Sequence, residues 1–419
     1  MARNLLSLTP LRLAATAAAL CSLILASSTA AAAGLPPSTW VALTTLPGAN
    51  HSPIFALAVN PANDQQLIAG NGAGGLYQSE DGGTTWKSVH PGTASILAVA
   101  FSPFNPALVL AGTQGGGGFV STDGGTHWAA ASGLENRNVR AFAFARTLVV
   151  TGTDHGVYTS ETGVAWTASG LATTSIDAVS VAAVNPPVKL VAGGDGGQGA
   201  ITLYQSVDGG NSWAPLNPAI SGTIITRLAS GPLPPTGDVR PLVVGTNSGL
   251  FISTDNGKTF TALSAGQLLP STDYTQIGFT ATHFDRFFVA SDGGGAESGG
   301  LWSTADSGQH FSSLQPPLPS VTALAVSGDQ QPILFVATFR AADHVPMLWA
   351  FRDTGGTPQG PVTNATPTAT ASRTNPPGTS FLDLLRALFS SQIPYLALGV
   401  VALLLIALAV VSQLRSRRR

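Results

Sequence analysis

An eight-residue motif, here termed the box, recurs along the chain and constrains its fold more than any other feature. Four copies begin at Ser79, Ser121, Ser206 and Ser253, and they read SEDGGTTW, STDGGTHW, SVDGGNSW and STDNGKTF. A motif that returns at intervals of about 40 to 50 residues is typical of architectures in which each repeat forms one supersecondary unit.

Three further copies depart from this pattern. Residues 304–311 (TADSGQHF) begin with Thr instead of Ser. Residues 160–166 (SETGVAW) are one residue short and have Thr162 where the Asp belongs. The last copy is a remnant, FRDTGG, that keeps Asp353 and the glycines.

Each box lies between two apolar runs, which predicts a tight hairpin. Ser and Asp side chains bond the backbone of their own turn, Gly permits positive φ, and the closing Trp or Phe buries a large side chain. We therefore expect the boxes to be structural and not catalytic. Their structural residues are Ser79, Asp81, Trp86, Ser121, Asp123, Trp128, Ser206, Asp208, Trp213, Ser253, Asp255, Phe260, Asp306, Phe311 and Asp353.

Each repeat carries three apolar runs before its box and one after it, as in residues 54–89. This pattern predicts an all-β seven-bladed propeller of four-stranded antiparallel blades over residues 38–356. The seventh repeat lacks its last strand, whereas residues 38–43 have the post-box pattern with no box before them. We expect this N-terminal strand to complete the seventh blade and close the ring, since closure removes exposed sheet edges.

The S-x-D-x-G-x-x-[WF] pattern, intact in four boxes, makes residues 40–356 resemble the Asp-box (BNR) repeat family. That family includes sialidases, xyloglucan-type glycosidases, the sortilin ectodomain and a seven-bladed photosystem II assembly factor. The chain is most similar to the seven-bladed, non-catalytic type. The resemblance implies the fold, but the family shares no single function and so implies no activity.

The N-terminal segment predicts export. Residues 1–33 resemble a signal peptide, with Arg3 and Arg12 before an apolar stretch and a run of small residues after it; an uncleaved anchor is the alternative. Cys21, the only cysteine, lies in this segment, so the mature chain would form no disulfide and no thiolate metal site.

The C-terminal segment predicts a single membrane anchor. Residues 394–414 are long and apolar enough for a transmembrane helix, and the arginines of residues 415–419 place that end in the cytoplasm. Residues 357–380, rich in Thr and Pro, predict a stalk. Residues 381–391 predict an amphipathic juxtamembrane segment or an extension of the transmembrane helix. The propeller would then lie outside the cell membrane.

The charge of the propeller argues against a nucleic-acid partner. Between residues 34 and 380 the chain carries 20 acidic and 12 basic residues. A nucleic-acid-binding surface requires a basic footprint.

The resemblance implies that ligands meet the face opposite the boxes, where a polar residue recurs in the loop after each second strand. The alternative is that these residues cap tight turns. The candidate ligand rim is Asn71, Gln114, Asp154, Asp195, Asn247, Asp292 and Arg340.

No catalytic set of the resembling families is present. A sialidase requires three arginines around a carboxylate, and the body has few arginines. A glycosidase requires two carboxylates about 5–10 Å apart, for which Asp154, Asp195 and Asp292 are candidates. The loops 193–197 and 291–297 offer only one or two carboxylates each, too few for calcium. We expect no metal and no cofactor.

Arg140 and Arg227 stand on innermost strands where other repeats carry small or neutral residues. The resembling assembly factor grips its client through arginines, which makes these two candidate partner contacts; pairing with a nearby acid is the alternative. The sequence favours a monomeric, membrane-anchored binding or scaffold module for a protein complex or a glycan. A surface glycoside hydrolase and a self-associating coat protein are the alternatives.

Overall fold

The computed structural model describes residues 34–48, 51–185, 187–195, 201–216, 219–235, 239–264, 266, 268–269, 272–295, 298–355 and 359–362. These residues form seven sheets, of which six have four antiparallel strands and the seventh adds one parallel strand to four antiparallel ones, which confirms the predicted seven-bladed all-β propeller. No helix within these ranges is long and apolar enough to cross a membrane. The predicted signal peptide, transmembrane helix, juxtamembrane segment, basic tail and most of the stalk lie outside the described residues.

The N-terminal strand β1 (Thr39–Ala42) is followed by six blades in which four consecutive strands pair in chain order. The strands of the first three blades are β2 (Ile54–Asn60), β3 (Asn63–Asn71), β4 (Gly75–Ser79) and β5 (Lys87–Pro91); β6 (Ile96–Phe101), β7 (Val109–Thr113), β8 (Gly118–Ser121) and β9 (Ala129–Ala130); and β10 (Val139–Phe144), β11 (Val149–Thr153), β12 (Gly156–Ser160) and β13 (Thr167–Gly170).

The next three blades repeat this order, with one 3-10 turn at Gly293–Gly295 in the sixth. Their strands are β14 (Ser175–Ala183), β15 (Lys189–Asp195), β16 (Ile201–Ser206) and β17 (Ala214–Leu216); β18 (Ile225–Ser230), β19 (Leu242–Thr246), β20 (Gly249–Ser253) and β21 (Thr261–Leu263); and β22 (Gln276–Phe279), β23 (Phe287–Ser291), β24 (Gly300–Thr304) and β25 (Ser312–Ser313).

The seventh blade is closed by the N-terminal strand, as predicted. After β26 (Val321–Val326), β27 (Ile333–Arg340) and β28 (Val345–Arg352), β1 pairs antiparallel with β28. A fifth strand, β29 (Gln359–Val362), then pairs parallel with β1. The sequence prediction assigned these four residues to the stalk, because their composition (QGPV) carries no strand signal; they belong to the sheet.

The core lies between the blades. The first strand of each blade is innermost and contacts the first strands of both neighbouring blades, and β2 contacts β26 to complete the ring. Among the described residues, one cluster of buried apolar side chains fills each of the seven interfaces.

Each aromatic residue that closes a box packs against the preceding blade. Trp86, for example, joins the cluster between the seventh and first blades. In six blades the aromatic residue lies directly before the fourth strand. Its side chain reaches across the interface, so each of these boxes fastens two blades together.

Candidate functional site

The boxes lie on one face of the ring, because every blade has the same strand order, and each is held by its own side chains. In the first box Ser79 Oγ donates to Asp81 Oδ1 at 2.9 Å and accepts the N–H of Gly83 at 2.8 Å. Asp81 Oδ1 also accepts the N–H of Thr85 at 2.8 Å. The same bonds recur in the boxes that begin at Ser121, Ser206, Ser253 and Thr304.

These bonds fix the box carboxylates in their ionised form. Hydrogen bonds from Ser212 lower the pKa of Asp208 to about 2, and hydrogen bonds from Thr259 lower the pKa of Asp255 to about 2. A carboxylate that accepts several N–H and O–H bonds is a poor proton donor at neutral pH. The geometry therefore gives the boxes a scaffold role.

The last box residue has a different partner. Asp353 directly follows β28, and its Oδ2 is 2.6 Å from Arg286 Nη2 of the sixth blade. The side chains are 5% and 19% exposed, and the pair borders a groove of about 650 Å³ between the sixth and seventh blades. Asp353 therefore fastens the closing blade to its neighbour.

The candidate ligand rim lies on the opposite face, and four of its seven side chains are used to shape turns. Each of these four accepts at least one backbone N–H through a side-chain oxygen, so its position is fixed by its own loop or the adjacent one. With the accepting side chain named first and the donating backbone N–H second, the pairs are Asn71 and Gly75 (2.9 Å), Asp154 and Asn138 (3.1 Å), Asn247 and Thr223 (2.9 Å), and Asp292 and Gly294 (2.9 Å).

The other three rim residues lie on separate blades. Gln114 and Asp195 are exposed. Arg340 forms a bidentate pair with Asp343, in which Nε and Nη2 lie 2.8 and 2.7 Å from the carboxylate oxygens.

The rim ends of the innermost strands carry a feature that the sequence did not predict. In six of the seven described innermost strands, the register skips one residue near the start of the strand, which is a β-bulge. A bulge changes the direction of a side chain and is frequent beside functional sites. The skipped residues, here termed the channel-mouth residues, are Phe55, Leu97, Arg140, Asp177, Thr226 and Thr322.

Two channel-mouth residues of adjacent blades form an ion pair. Arg140 Nε lies 3.1 Å from Asp177 Oδ1. Burial raises the pKa of Asp177, and the charge of Arg140 opposes that rise. The side chain of Arg140 is still 40% exposed. Arg140 thus has the acidic neighbour that the alternative interpretation anticipated, and it also remains accessible.

Arg227 is partly buried beside the ring axis. A cavity of about 70 Å³ is lined by the innermost strands of the first six blades, and its lining is apolar except for Arg227 and Gln276. Burial lowers the pKa of Arg227.

A second acidic residue, which the sequence did not single out, lies beside a rim position. Asp273 precedes β22, and burial together with the charge of Asp292 raises its pKa to about 6. Asp273 Oδ1 is buried without a hydrogen-bond partner among the described residues. A carboxyl group with a raised pKa beside a second carboxylate is the combination that general acid–base chemistry uses.

The geometry provides neither a metal centre nor an arginine cluster within the described ranges. No three His, Cys, Asp or Glu side chains of these residues are placed to hold a metal ion. Arg140, Arg286 and Arg340 each pair with a different acid. The two glycine-rich loops considered for calcium extend beyond the described residues.

Comparison with known proteins identifies the fold but no family. No family model matches the chain, and no curated protein is similar to it in sequence. Among solved structures, the chain is similar to YCF48 bound to D1 peptide, with 18% identity, a TM-score of 0.52 and coverage of 76% of this chain and 96% of that one. The WD40 propeller domain of Doa1 gives 10% identity, a TM-score of 0.57 and coverage of 75% and 98%.

A glycoside hydrolase gives a weaker match. The GH74 xyloglucanase of Xanthomonas campestris aligns with 13% identity and a TM-score of 0.49 over 68% of this chain. This chain spans about half of that enzyme's length, 51%. The two matches with TM-scores above 0.5 thus support the propeller fold and no more than the fold.

Proposed function

We propose that the protein is an exported Asp-box propeller, anchored by one C-terminal helix, that acts as a binding or scaffold module for a protein complex or a glycan. The box hydrogen bonds and the resemblance of the sequence support its place in the Asp-box family. Its similarity to YCF48 bound to D1 peptide, whose structure contains a peptide, supports a binding role.

The channel mouth carries this proposal. Bulges hold Phe55 and Arg140 at the rim ends of their strands, where they are 39% and 40% exposed. Aromatic and arginine side chains are enriched at protein interfaces, since they combine apolar area with directional hydrogen bonds. The rim carboxylates, by contrast, are largely occupied by their own turns. The surface therefore suits recognition better than proton transfer.

A cross-linked pull-down of the full-length protein from its own membranes tests this role. The variant Phe55→Ala/Arg140→Ala is compared with Phe104→Ala/Arg146→Ala, which removes the same residue types from the box face, where Arg146 stacks on Phe104 at 5.2 Å. The proposal expects one dominant partner with the wild type and with the box-face variant, and its loss with the mouth variant. Equal recovery with both variants would exclude the channel mouth.

Cysteine labelling tests the anchor and its orientation. The chain has one cysteine, in the predicted signal peptide, so a cysteine introduced at Ser380 or Ser416 reports a single position. On intact cells, a membrane-impermeant maleimide is expected to label Ser380→Cys and not Ser416→Cys. Labelling of both, or recovery of the protein in the soluble fraction, would contradict the anchor.

Hydrolysis of a glycan is the second candidate function, favoured by one observation. Asp273 and Asp292 interact, and the raised pKa of Asp273 suits a general acid. Purified protein is screened for hydrolysis of polysaccharides at pH 5–7. Asp273→Asn removes the candidate general acid, and Asp123→Asn, which changes a box carboxylate, is the control. Activity that only Asp273→Asn abolishes would establish this function over the binding role.

A further inference from the structure

Three junctions between blades are closed by the same contact, in which a glycine of a box lies against a leucine of the preceding blade. The leucines, each three positions after the aromatic residue of its blade, are Leu43, Leu216 and Leu263. A Cβ placed on Gly83, Gly257 or Gly308 would lie 2.7, 3.1 or 2.8 Å from a methyl carbon of the respective leucine. No space is therefore left between box and blade at these junctions.

The junction between the sixth and seventh blades lacks this contact. Leu314 stands at the equivalent position after Phe311, but the last box is a remnant without a closing aromatic residue. A Cβ placed on Gly355, the equivalent glycine, would have no described atom within 4 Å. Leu314 and Gly355 both line the groove of about 650 Å³ at this junction. The groove thus lies where the other junctions hold the glycine of a complete box.

The walls of this groove offer hydrogen bonds without an unpaired charge. Among the described lining residues, the titratable side chains form two pairs, Asp306 with His310 and Asp353 with Arg286, each at 2.6 Å. Most other lining side chains carry a hydroxyl or an amide group; they are Ser303, Thr304, Ser312, Ser313, Gln315 and Thr354. An ion would enter this groove without a counter-charge, which is costly, so the walls favour an uncharged polar ligand.

The imidazole of His310 is held in one orientation. An ionised Asp306 can only accept hydrogen bonds, so Nδ1 of His310 donates to it, and Nε2 of the neutral ring is left as an acceptor. The side chain of His310 is 82% exposed. Hydroxyl side chains both donate and accept, as the hydroxyl groups of a sugar do. The volume lies within the range of about 300–1,000 Å³ that small-ligand sites occupy.

We propose that the groove between the sixth and seventh blades is a binding site for a short neutral oligosaccharide, with His310 and Ser312 among its hydrogen-bonding groups. The site lies on the box face and is separate from the channel mouth on the opposite face. It therefore does not depend on the partner proposed for the mouth. Anionic sugars are disfavoured, because the guanidinium of Arg286 is already paired with Asp353.

Protection of His310 from diethyl pyrocarbonate tests the site in the unaltered protein. Full-length protein is purified in a detergent without a sugar headgroup, and modification is followed by mass spectrometry with neutral glucose, mannose, galactose or N-acetylglucosamine trisaccharides. His127 is an internal control, since it forms the same pair with Asp123 at 2.6 Å and is 84% exposed, but does not line the groove. At a tenfold excess of ligand over Kd, modification of His310 should slow about tenfold and that of His127 should not change. Equal protection of both, or none at His310 with any probe, would overturn the proposal.

A pair of matched variants locates the ligand. Ser312→Trp places a large side chain in the groove and is expected to abolish binding of the protecting trisaccharide, measured by titration calorimetry. Thr261→Trp changes the equivalent position of the fifth blade, at the junction that Gly308 closes, and is expected to bind as the wild type does. Binding that survives Ser312→Trp, or that both variants lose alike, would contradict the site.

Discussion

Replacing Trp40 with Ala tests how the ring is closed. Trp40 is fully buried in β1, its ring centroid lies 4.7 Å from that of Phe351, and its Nε1 donates to Leu314 O at 2.9 Å. Loss of a buried Trp costs about 3–5 kcal/mol, and the unpaired carbonyl of Leu314 adds about 1 kcal/mol. We expect the free energy of unfolding to fall by about 5 kcal/mol.

Trp86 supplies the matched control. It occupies the same position in the first blade but is only half-buried, and its Nε1 has no hydrogen-bond partner among the described residues. Trp86→Ala is expected to cost about 2 kcal/mol, since less area is lost and no hydrogen bond breaks. Both variants are measured by urea unfolding of a fragment that ends at Thr363. Equal losses for the two variants would refute closure through Trp40.

Three further predictions concern single contacts, all read from the unfolding free energy of the same fragment. Asp353→Asn leaves Arg286, which is 19% exposed, without a counter-charge and is expected to cost about 3 kcal/mol. Arg286→Met/Asp353→Leu should recover most of this loss; no recovery would mean that packing and not charge decides the stability of the pair. Ser206→Ala removes the acceptor of a buried turn N–H and is expected to cost about 1–2 kcal/mol. Ser206→Thr should be tolerated, because Thr304 accepts the equivalent N–H in another box. Equal losses for the two variants would show that the hydroxyl group does not stabilise the turn. Asp273→Asn is expected to add about 1 kcal/mol at pH 8, after allowance for partial exposure, because the ionised carboxylate destabilises the folded state. The gain should shrink as the pH falls below about 6 and vanish only below the unfolded-state pKa of 3.8; a gain that is the same at pH 3.5 as at pH 8 would refute the raised pKa.

The fold could be predicted because its signals are local and repeated. Each box specifies a turn through bonds between residues two to four positions apart, such as Ser79 with Asp81 and Gly83. The count of boxes and the N-terminal strand that contains Trp40 then determine seven blades and their closure. Residues 359–362 escaped prediction because β29 is defined by its pairing with β1 and not by its own composition.

The sequence could predict where the candidate site residues lie along the blades but not what their side chains contact. In the structure the rim residues lie at or just after the ends of the second strands, but the roles of their side chains depend on contacts that the sequence does not show. Arg286 meets Asp353 across 67 residues of chain, and Asp273 acquires its raised pKa from burial and from Asp292. The bulges that re-aim Arg140 and Asp177 are likewise visible only in the register of paired strands.

Site-specific photo-cross-linking measures the proposed recognition at the channel mouth most directly. A photoreactive phenylalanine analogue is placed at Phe55, or at Phe104 on the opposite face, in the full-length protein within its own cells; both side chains are 39% exposed. Recognition at the mouth predicts one discrete adduct from position 55 and none from position 104. Adducts of equal yield from both positions, or none from position 55, would contradict it.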